Sequence, residues 1–513
     1  MSRVTSTPDP RRWLALALLG TAFFMVILDG TIVYVALPVI ADDLGFSEGR
    51  FQWVMSAYLL CFGALLLLGG RTADLLGRRR VFMVGVGLFV SSSLLCGLAW
   101  SPTVLIGARI VQGVSAAIMA PTALSLLMTI FPEGPDRNKA LGIWGGIGGI
   151  GATAGLLIGG PVVSSLGWEW VFFINIPVGL AVLLLTPRLL RESVDTACAR
   201  CFDLAGAVTV TGALLLLVYA IAEAPVAGWG SVQTIGLLLV SAALLALFGL
   251  IEARSPGPLV PLRIFRSRAL VGGNLVLLTA GMAIDGTLLI VTLYAQDVLG
   301  YSAVQFGLMT AVLTVMSVVG AYTAQAVVTR TGLRWVGVAG MVLVGAACLL
   351  LTQVSVDGSY FEDIFLGLLV FGTGLGAAFV ASQIAALAGV AEGESGLAAG
   401  LVDSSFNIGG ALGIAILSTV AVSHADNVPS GAGREADLSA ITEGFQTAFA
   451  VAVGLAALGA LLAALLFRAR GLVEPTVGAE SRLESIGFER ARDSATGKDP
   501  METVQPHKED GGI

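Results

Sequence analysis

Fourteen stretches of this 513-residue chain are each long and apolar enough to cross a lipid bilayer, and that constrains the fold more than any other feature. A spanning helix needs about 20 mostly apolar residues, and lipid offers no partner to a backbone N–H or C=O, so each span must satisfy its own backbone as a helix. The stretches lie near 13–36, 51–70, 80–99, 104–128, 139–163, 169–187, 203–223, 232–252, 270–296, 303–328, 335–355, 362–389, 396–422 and 444–467. Only 12% of residues are charged, against about 25% in soluble domains, so nothing could coat several water-facing cores of this size. Spans this long and glycine-rich do not fit porin-type strands, which read as short alternating segments. The expectation is an all-α integral membrane protein.

Basic residues set the orientation, because Lys and Arg gather in short cytoplasmic loops. With the N-terminus inside, the cytoplasmic side holds Arg3, Arg11, Arg12, Arg71, Arg78, Arg79, Arg80, Arg137, Lys139, Arg188, Arg191 and Arg200, then Arg254, Arg263, Arg266, Arg268, Arg330, Arg334, Arg468 and Arg470. The opposite loops hold only Arg50 and Arg434. Both ends are therefore expected in the cytoplasm. No small-residue cleavage site follows the first span, which reads as a retained helix rather than a signal peptide. Cys61, Cys96 and Cys348 fall inside spans and read as small apolar residues, while Cys198 and Cys201 have no nearby histidine to complete a zinc site.

Two carboxylates interrupt the apolar runs in matching contexts. Asp29 sits in ILDGTIVYVALP, and the pattern returns at AIDGTLLIVTLY around Asp285. A charge at the bilayer centre costs several kcal/mol, so an acid kept there is expected to be functional. Recurrence in two halves points to a transporter built from repeats, with its site near the repeat interface. Asp29 lies about 25 Å up the first span and Arg109 about 9 Å in from the outer end of the fourth, at 1.5 Å per residue. In a core of about 30 Å both reach the outer half, where an arginine that never loses its proton could hold the acid charged or release it. Asp285 is expected at nearly the same height, as a second proton site or a contact for a cationic substrate. Asp403 falls about 10 Å from the inner face. Tyr34, Gln112, Gln296, Asp403 and Asn407 are candidates to line a central cavity. Glu223 reads as a solvated cap at the outer interface.

After the second span, GRTADLLGRRRVF places Gly70, Asp74, Gly77, Arg78 and Arg79 in a tight turn. Its glycines permit a sharp reversal, and an acid at a helix C-terminus needs an answering cation. This string resembles the signature loop of the major facilitator superfamily. LIGARIVQGVSAAIMAPTALSLL, with Arg109, Gln112 and Gly113, resembles that family's fourth-helix motif, and LDGTIVYVALP and GWEWVFFINIPVG resemble strings of its fourteen-span drug:proton antiporter branch. In the fifth span, Gly151, Gly155, Gly159 and Gly160 are similar to the antiporter glycine motif, with Leu156 where the family has proline. Residues four apart stack into one smooth face; the reading is open between simple packing and the family's seal against the cytoplasm. Three departures stand out: Tyr34 replaces a family Asn, Trp168-Glu169-Trp170 replaces W-R-W, and VVTRTGLRWV lacks the acid of a second signature loop.

The resemblance implies a major-facilitator-type fold, two six-helix bundles plus two extra helices. The parts would be a cytoplasmic N-terminus (1–12), an N-terminal bundle (13–190), two linker helices (203–252), a C-terminal bundle (270–468) and a disordered cytoplasmic tail (469–513). It implies a monomer in the bacterial cytoplasmic membrane that exports a small amphipathic drug or antibiotic in exchange for protons. Asp29, Arg109 and Asp285 would couple the protons, and Gly70, Asp74, Gly77, Arg78 and Arg79 would form the conformational switch. No Walker A string and no metal-ligand cluster is present, so no cofactor beyond the proton gradient is expected, no nucleic acid is bound, and the chain is not an enzyme. The alternative is a proton-coupled symporter importing a small metabolite or siderophore.

Overall fold

The computed structural model describes residues 11–46, 50–131, 134–193, 203–255, 258, 260–388, 390, 395–425 and 434–467. Regular structure among them is helical. Fourteen helices are long and apolar enough to span a membrane: α1 (Arg12–Leu44), α2 (Trp53–Ala73), α3 (Arg78–Gly97), α4 (Pro102–Ile130), α5 (Pro135–Leu166), α6 (Trp170–Leu189), α7 (Ala205–Ala224), α8 (Val232–Arg254), α9 (Arg268–Val298), α10 (Ala303–Thr331), α11 (Leu333–Leu351), α12 (Tyr360–Leu387), α13 (Leu397–Ser423) and α14 (Leu438–Leu466). The expected N-terminal tail, the Cys198–Cys201 pair and the C-terminal tail lie outside the described residues.

Local chemistry sets the helix ends. Ser101, Ser231 and Ser267 each accept a backbone N–H three residues on, and Pro102 opens α4 where its missing N–H costs nothing. α1 runs to Leu44, eight residues past the apolar stretch, because its last turns carry Asp42 and Asp43 and are too polar to register as a span. Pro38 sits within α1 without ending it, as membrane helices often tolerate. Gly45 then closes the helix in the left-handed region at φ 63°.

The packing repeats with an offset of eight helices. In the first six, α1 packs on α5, α2 on α4 and α3 on both α4 and α6; in the last six, α9 packs on α13, α10 on α12 and α11 on both α12 and α14. α7 and α8 pair with each other, joined by Ser241 Oγ donating to the Ala213 carbonyl at 2.8 Å. α7 also rests on α2 and on α13, one helix from each set of six. In their spanning windows α9 is 78% buried and α8 only 11%, so α9 belongs to the core and α8 faces lipid.

Two seams join the sets. Along one, α2 meets α13: a methyl group added at Gly63 would fall 3.0 Å from Asn407 Cβ, and Ser418 Oγ donates to Gln52 Oε1 near the end away from the arginine-rich face. Along the other, α5 meets α10, where Gly160 lies against Ala303 and Val304, and Gly307 against the Leu156 carbonyl. Both α5 contacts sit near the end of α5 away from the arginine-rich face. At its arginine-rich end, Gly142, Gly145, Gly146 and Gly149 meet no neighbouring atom within 4 Å of where a Cβ would stand.

Candidate functional site

Asp29 is fully buried in the middle of α1, and its carboxylate is enclosed by donors from two other helices. From α4, Arg109 Nη1 donates to Oδ2 at 2.6 Å and Gln112 Nε2 to Oδ1 at 2.9 Å; from α6, Asn175 Nδ2 donates to Oδ1 at 2.7 Å. Arg109 and Gln112 stand one helical turn apart, so both point the same way from α4. The second hydrogens are used as well. Arg109 Nη1 reaches Gln112 Oε1 at 2.8 Å, Gln112 Nε2 reaches Ser93 Oγ on α3 at 2.7 Å, and Asn175 Nδ2 reaches the same Ser93 Oγ at 3.3 Å. The Cys96 thiol faces Gln112 Oε1 at 3.5 Å.

The arginine is held as tightly as the acid. Arg109 Nε donates to the Val54 carbonyl at 2.9 Å, and the guanidinium lies 4.1 Å from the Tyr58 ring centroid and 5.9 Å from that of Phe172. Tyr58 spends its hydroxyl on the Val26 carbonyl at 3.1 Å, tying α2 to α1. Gly113 permits this geometry, since a methyl group there would fall 2.5 Å from the Tyr58 carbonyl oxygen. A desolvated cation over an aromatic face contributes about 2 kcal/mol. Of its nitrogens, Nη2 lacks a partner among the described residues. Burying two charges costs several kcal/mol each and is offset only when geometry and extra hydrogen bonds are this complete.

Asp285 is placed differently. Although it occupies the matching position of α9, it lies between α13 and α1, outside the cage on α1, α3, α4 and α6. Gly410 on α13 makes room for its carboxylate, whose Cγ would stand 3.0 Å from a methyl group there. From α1, Tyr34 faces it across the boundary between the two sets of helices. The two acids therefore do not share one cleft. A matching sequence context fixes height along a helix, but rotation and local packing fix where the carboxylate points.

The other candidates divide between cage, seam and turn. Gln112 belongs to the buried cage rather than to a cavity wall. Tyr34 is 2% exposed and is interior too. Gln296 Nε2 donates to the Val35 carbonyl at 3.2 Å, pinning α9 to α1. Asp403 is exposed, and its carbonyl accepts from Asn407 Nδ2 at 2.8 Å one turn on. Gly151, Gly155 and Gly159 all face α1: methyl groups on them would meet Ile27, the Leu28 carbonyl and Ile32, whereas Gly160 turns to α10. Glu223 lies 3.9 Å from Arg50 and is 17% exposed.

In the signature turn, Gly77 adopts φ 102°, open to glycine at no steric cost. Arg79 N donates to Glu192 Oε1 at 3.0 Å, Arg78 N to the Ser193 carbonyl at 3.0 Å, and Arg78 Nη1 to Thr129 Oγ1 at 2.7 Å. Gly70 lies beside Pro121 of α4. The side chain of Asp74 lies outside the described residues. Glu192, just past α6, thus holds the turn; local spacing does not mark it, nor does it mark Ser93, Tyr58 or Asn175. The one available signal was a lone amide, Asn175, inside an otherwise apolar helix entry.

The comparisons with known proteins follow the same lines. The puromycin resistance protein of Streptomyces alboniger is 39% identical over 479 residues, covering 92% of this chain and 95% of that protein. The tetracenomycin C resistance and export protein of Streptomyces glaucescens is 36% identical, covering 83% and 79%. Among solved structures, the nucleoside transporter NupG superposes with a TM-score of 0.61 at 16% identity over 89% of this chain and 100% of that one. A peptide transporter of the POT family gives 0.63 at 14%, over 91% and 99%. At those identities the likeness concerns the fold. The family model described as Major Facilitator Superfamily matches residues 19–251 and 273–492, and the chain belongs to that family.

Proposed function

We propose that this protein exports a small amphipathic antibiotic from the bacterial cytoplasm in exchange for protons. The observation that carries the export reading is the 39% identity, over nearly the full length of both chains, to a puromycin resistance protein. The conformation supports the same direction. The seam between α5 and α10 is tight near the far end of α5, while toward its arginine-rich end α5 holds to α1 through Arg12–Asp136 and Phe23–Trp144, and a Cβ at Gly142, Gly145, Gly146 or Gly149 would meet nothing within 4 Å. With the arginine-rich face in the cytoplasm, that is the arrangement for loading from inside.

Proton coupling rests on the two membrane-embedded acids. Asp29 is sealed by three donors and a permanent cation, so it can meet a proton only when the Arg109 cage opens. Asp285 has no ion-pair partner among the described residues, stands at the boundary between the halves, and is the acid that exchanges in the conformation described. Each charge moved across 100 mV contributes about 2.3 kcal/mol toward export. With only 12% of its residues charged, a cavity between these helices suits hydrophobic substrates held by packing.

The test uses energised inside-out vesicles with puromycin as probe. Wild-type vesicles are expected to accumulate puromycin, lose pH gradient on its addition and stop when an uncoupler is present. Asp285→Asn vesicles are expected to leave the gradient intact. Accumulation indifferent to the uncoupler would refute the antiport.

A further inference from the structure

Between α8 and α9 the chain crosses the arginine-rich face in a short 3-10 helix, Leu262–Arg266, to which neither the buried acids nor the seams give a task. It is held in a fixed place. Glu252, 3% exposed near the end of α8, accepts the Val260 N–H at 3.2 Å, Ile264 N donates to the Pro261 carbonyl at 2.9 Å, and Ser267 caps α9 through Leu270 N. A 3-10 helix has about 3 residues per turn, so side chains three apart eclipse one another. Three ridges result. Ile264, 6% exposed, packs in a cluster with Ala207 of α7, Leu270 of α9 and Ala398 of α13, backed by Leu67 and Leu68 of α2. Leu262 and Phe265 form the second ridge, 44% and 43% exposed. Arg263 and Arg266, both exposed, form the third.

The two outward ridges are cationic and apolar side by side. Arg254, closing α8, and Arg268, opening α9, are exposed as well, and the sole acid from 252 to 270 is the buried Glu252. Among the described residues Arg254, Arg266 and Arg268 make no ion pair. Arginines gather in loops on this side because of how membrane proteins insert, but insertion does not call for two large apolar side chains exposed beside them. The segment cannot leave the bilayer surface, since the chain comes out of one span at Arg254 and enters the next at Arg268, and α8 faces lipid along its length. Acidic headgroups draw arginines lying at that depth, a guanidinium fits a phosphate through paired N–H donors, and an apolar side chain beside it reaches the acyl boundary.

We propose that residues 260–268 form a binding site for acidic phospholipids. Arg263, Arg266 and Arg268, with Arg254, hold the headgroup phosphates, and Leu262 and Phe265 sink to the acyl boundary. The site is independent of what the protein carries and in which direction. Through Ile264, a lipid held there bears on the ends of α2 and α13, one helix from each set of six.

The test uses the full chain with its native cysteines replaced and Leu262→Cys carrying a nitroxide, in vesicles of phosphatidylcholine alone or mixed with phosphatidylglycerol. Collisions with a neutral nickel chelate in water and with oxygen in lipid locate the label. Adding phosphatidylglycerol is expected to cut nickel accessibility several-fold and to raise that of oxygen. Arg263→Gln, Arg266→Gln and Arg268→Gln together are expected to remove this difference. Molar salt, which shortens the screening length to about 3 Å, is expected to remove it with the arginines in place, and that arm decides alone should the triple variant not fold. Equal accessibility in the two lipids, or protection that survives salt, would overturn the inference. So would protection by inorganic phosphate over phosphatidylcholine vesicles, which would make the arginines a site for soluble anions.

Discussion

At the scale of single residues, the defining feature is an ion pair that no solvent reaches. Arg109 makes its contacts through the geometry of a guanidinium: Nε to the Val54 carbonyl, Nη1 to Asp29 and Gln112, and a flat face on Tyr58. A lysine ammonium cannot reproduce a fork and a stacked plane together. Arg109→Lys is therefore expected to destabilise the protein by about 3 kcal/mol, the range for a disrupted buried pair, and to abolish efflux. Replacing both partners, Asp29→Asn with Arg109→Gln, is expected to restore much of the melting temperature in detergent but not transport. A lysine variant that melts like wild type would show that the pair does not carry the fold. Part of this site was legible beforehand. The rise of 1.5 Å per residue brings Asp29 and Arg109 to one height, and the structure brings them into contact. Rotation was not legible, so Gln112 read as a cavity residue, Asn175 and Ser93 read as nothing in particular, and Asp285 seemed the twin of Asp29.

At the scale of elements, the informative piece is the turn between α2 and α3. Gly77 at φ 102° allows the reversal, but the turn is held from outside, by the segment that follows α6. Glu192 Oε1 accepts the Arg79 N–H, and Oε2 lies 3.8 Å from Arg79 Nε and 3.6 Å from Arg80 Nε. The ion pairs are long and partly solvated, so they contribute little, while the hydrogen bond to the backbone fixes the turn's position. Glu192→Ala is expected to slow efflux several-fold with the cage intact. Glu192→Gln, which keeps an acceptor for that N–H, is expected to recover most of the rate. If Gln were no better than Ala, charge rather than the backbone contact would be what matters. The spans themselves were readable because a bilayer demands a length that composition cannot hide. Their polar ends were not, as the added turns of α1 at Asp42 and Asp43 show. A partner such as Glu192, 113 residues from Arg79, leaves no trace in local spacing.

At the scale of the molecule, the two sets of six helices must separate on one face and meet on the other for a site between them to face each compartment in turn. On the face away from the arginine-rich loops they are joined by Gln52 with Ser418, by Gln296 with the Val35 carbonyl, and by Gly160 and Gly307 at the crossing of α5 and α10. Each hydrogen bond contributes only about 1 kcal/mol net, and glycine contacts release without side-chain rearrangement. This closure can therefore break in every cycle. Joining it covalently should stop the cycle without touching either acid. In a chain whose native cysteines are replaced, Gln52→Cys and Ser418→Cys bridged by a short bifunctional thiol reagent are expected to lose puromycin efflux. Each single variant treated alike should keep it. A cysteine placed at Gly142, where a Cβ would meet nothing within 4 Å, should stay reactive from the cytoplasmic side of the bridged protein. Reagents reach that side directly in inside-out vesicles. Full efflux through the bridged pair would mean that the outer ends of α2 and α13 never part, and that the outward opening lies along the α5–α10 seam alone.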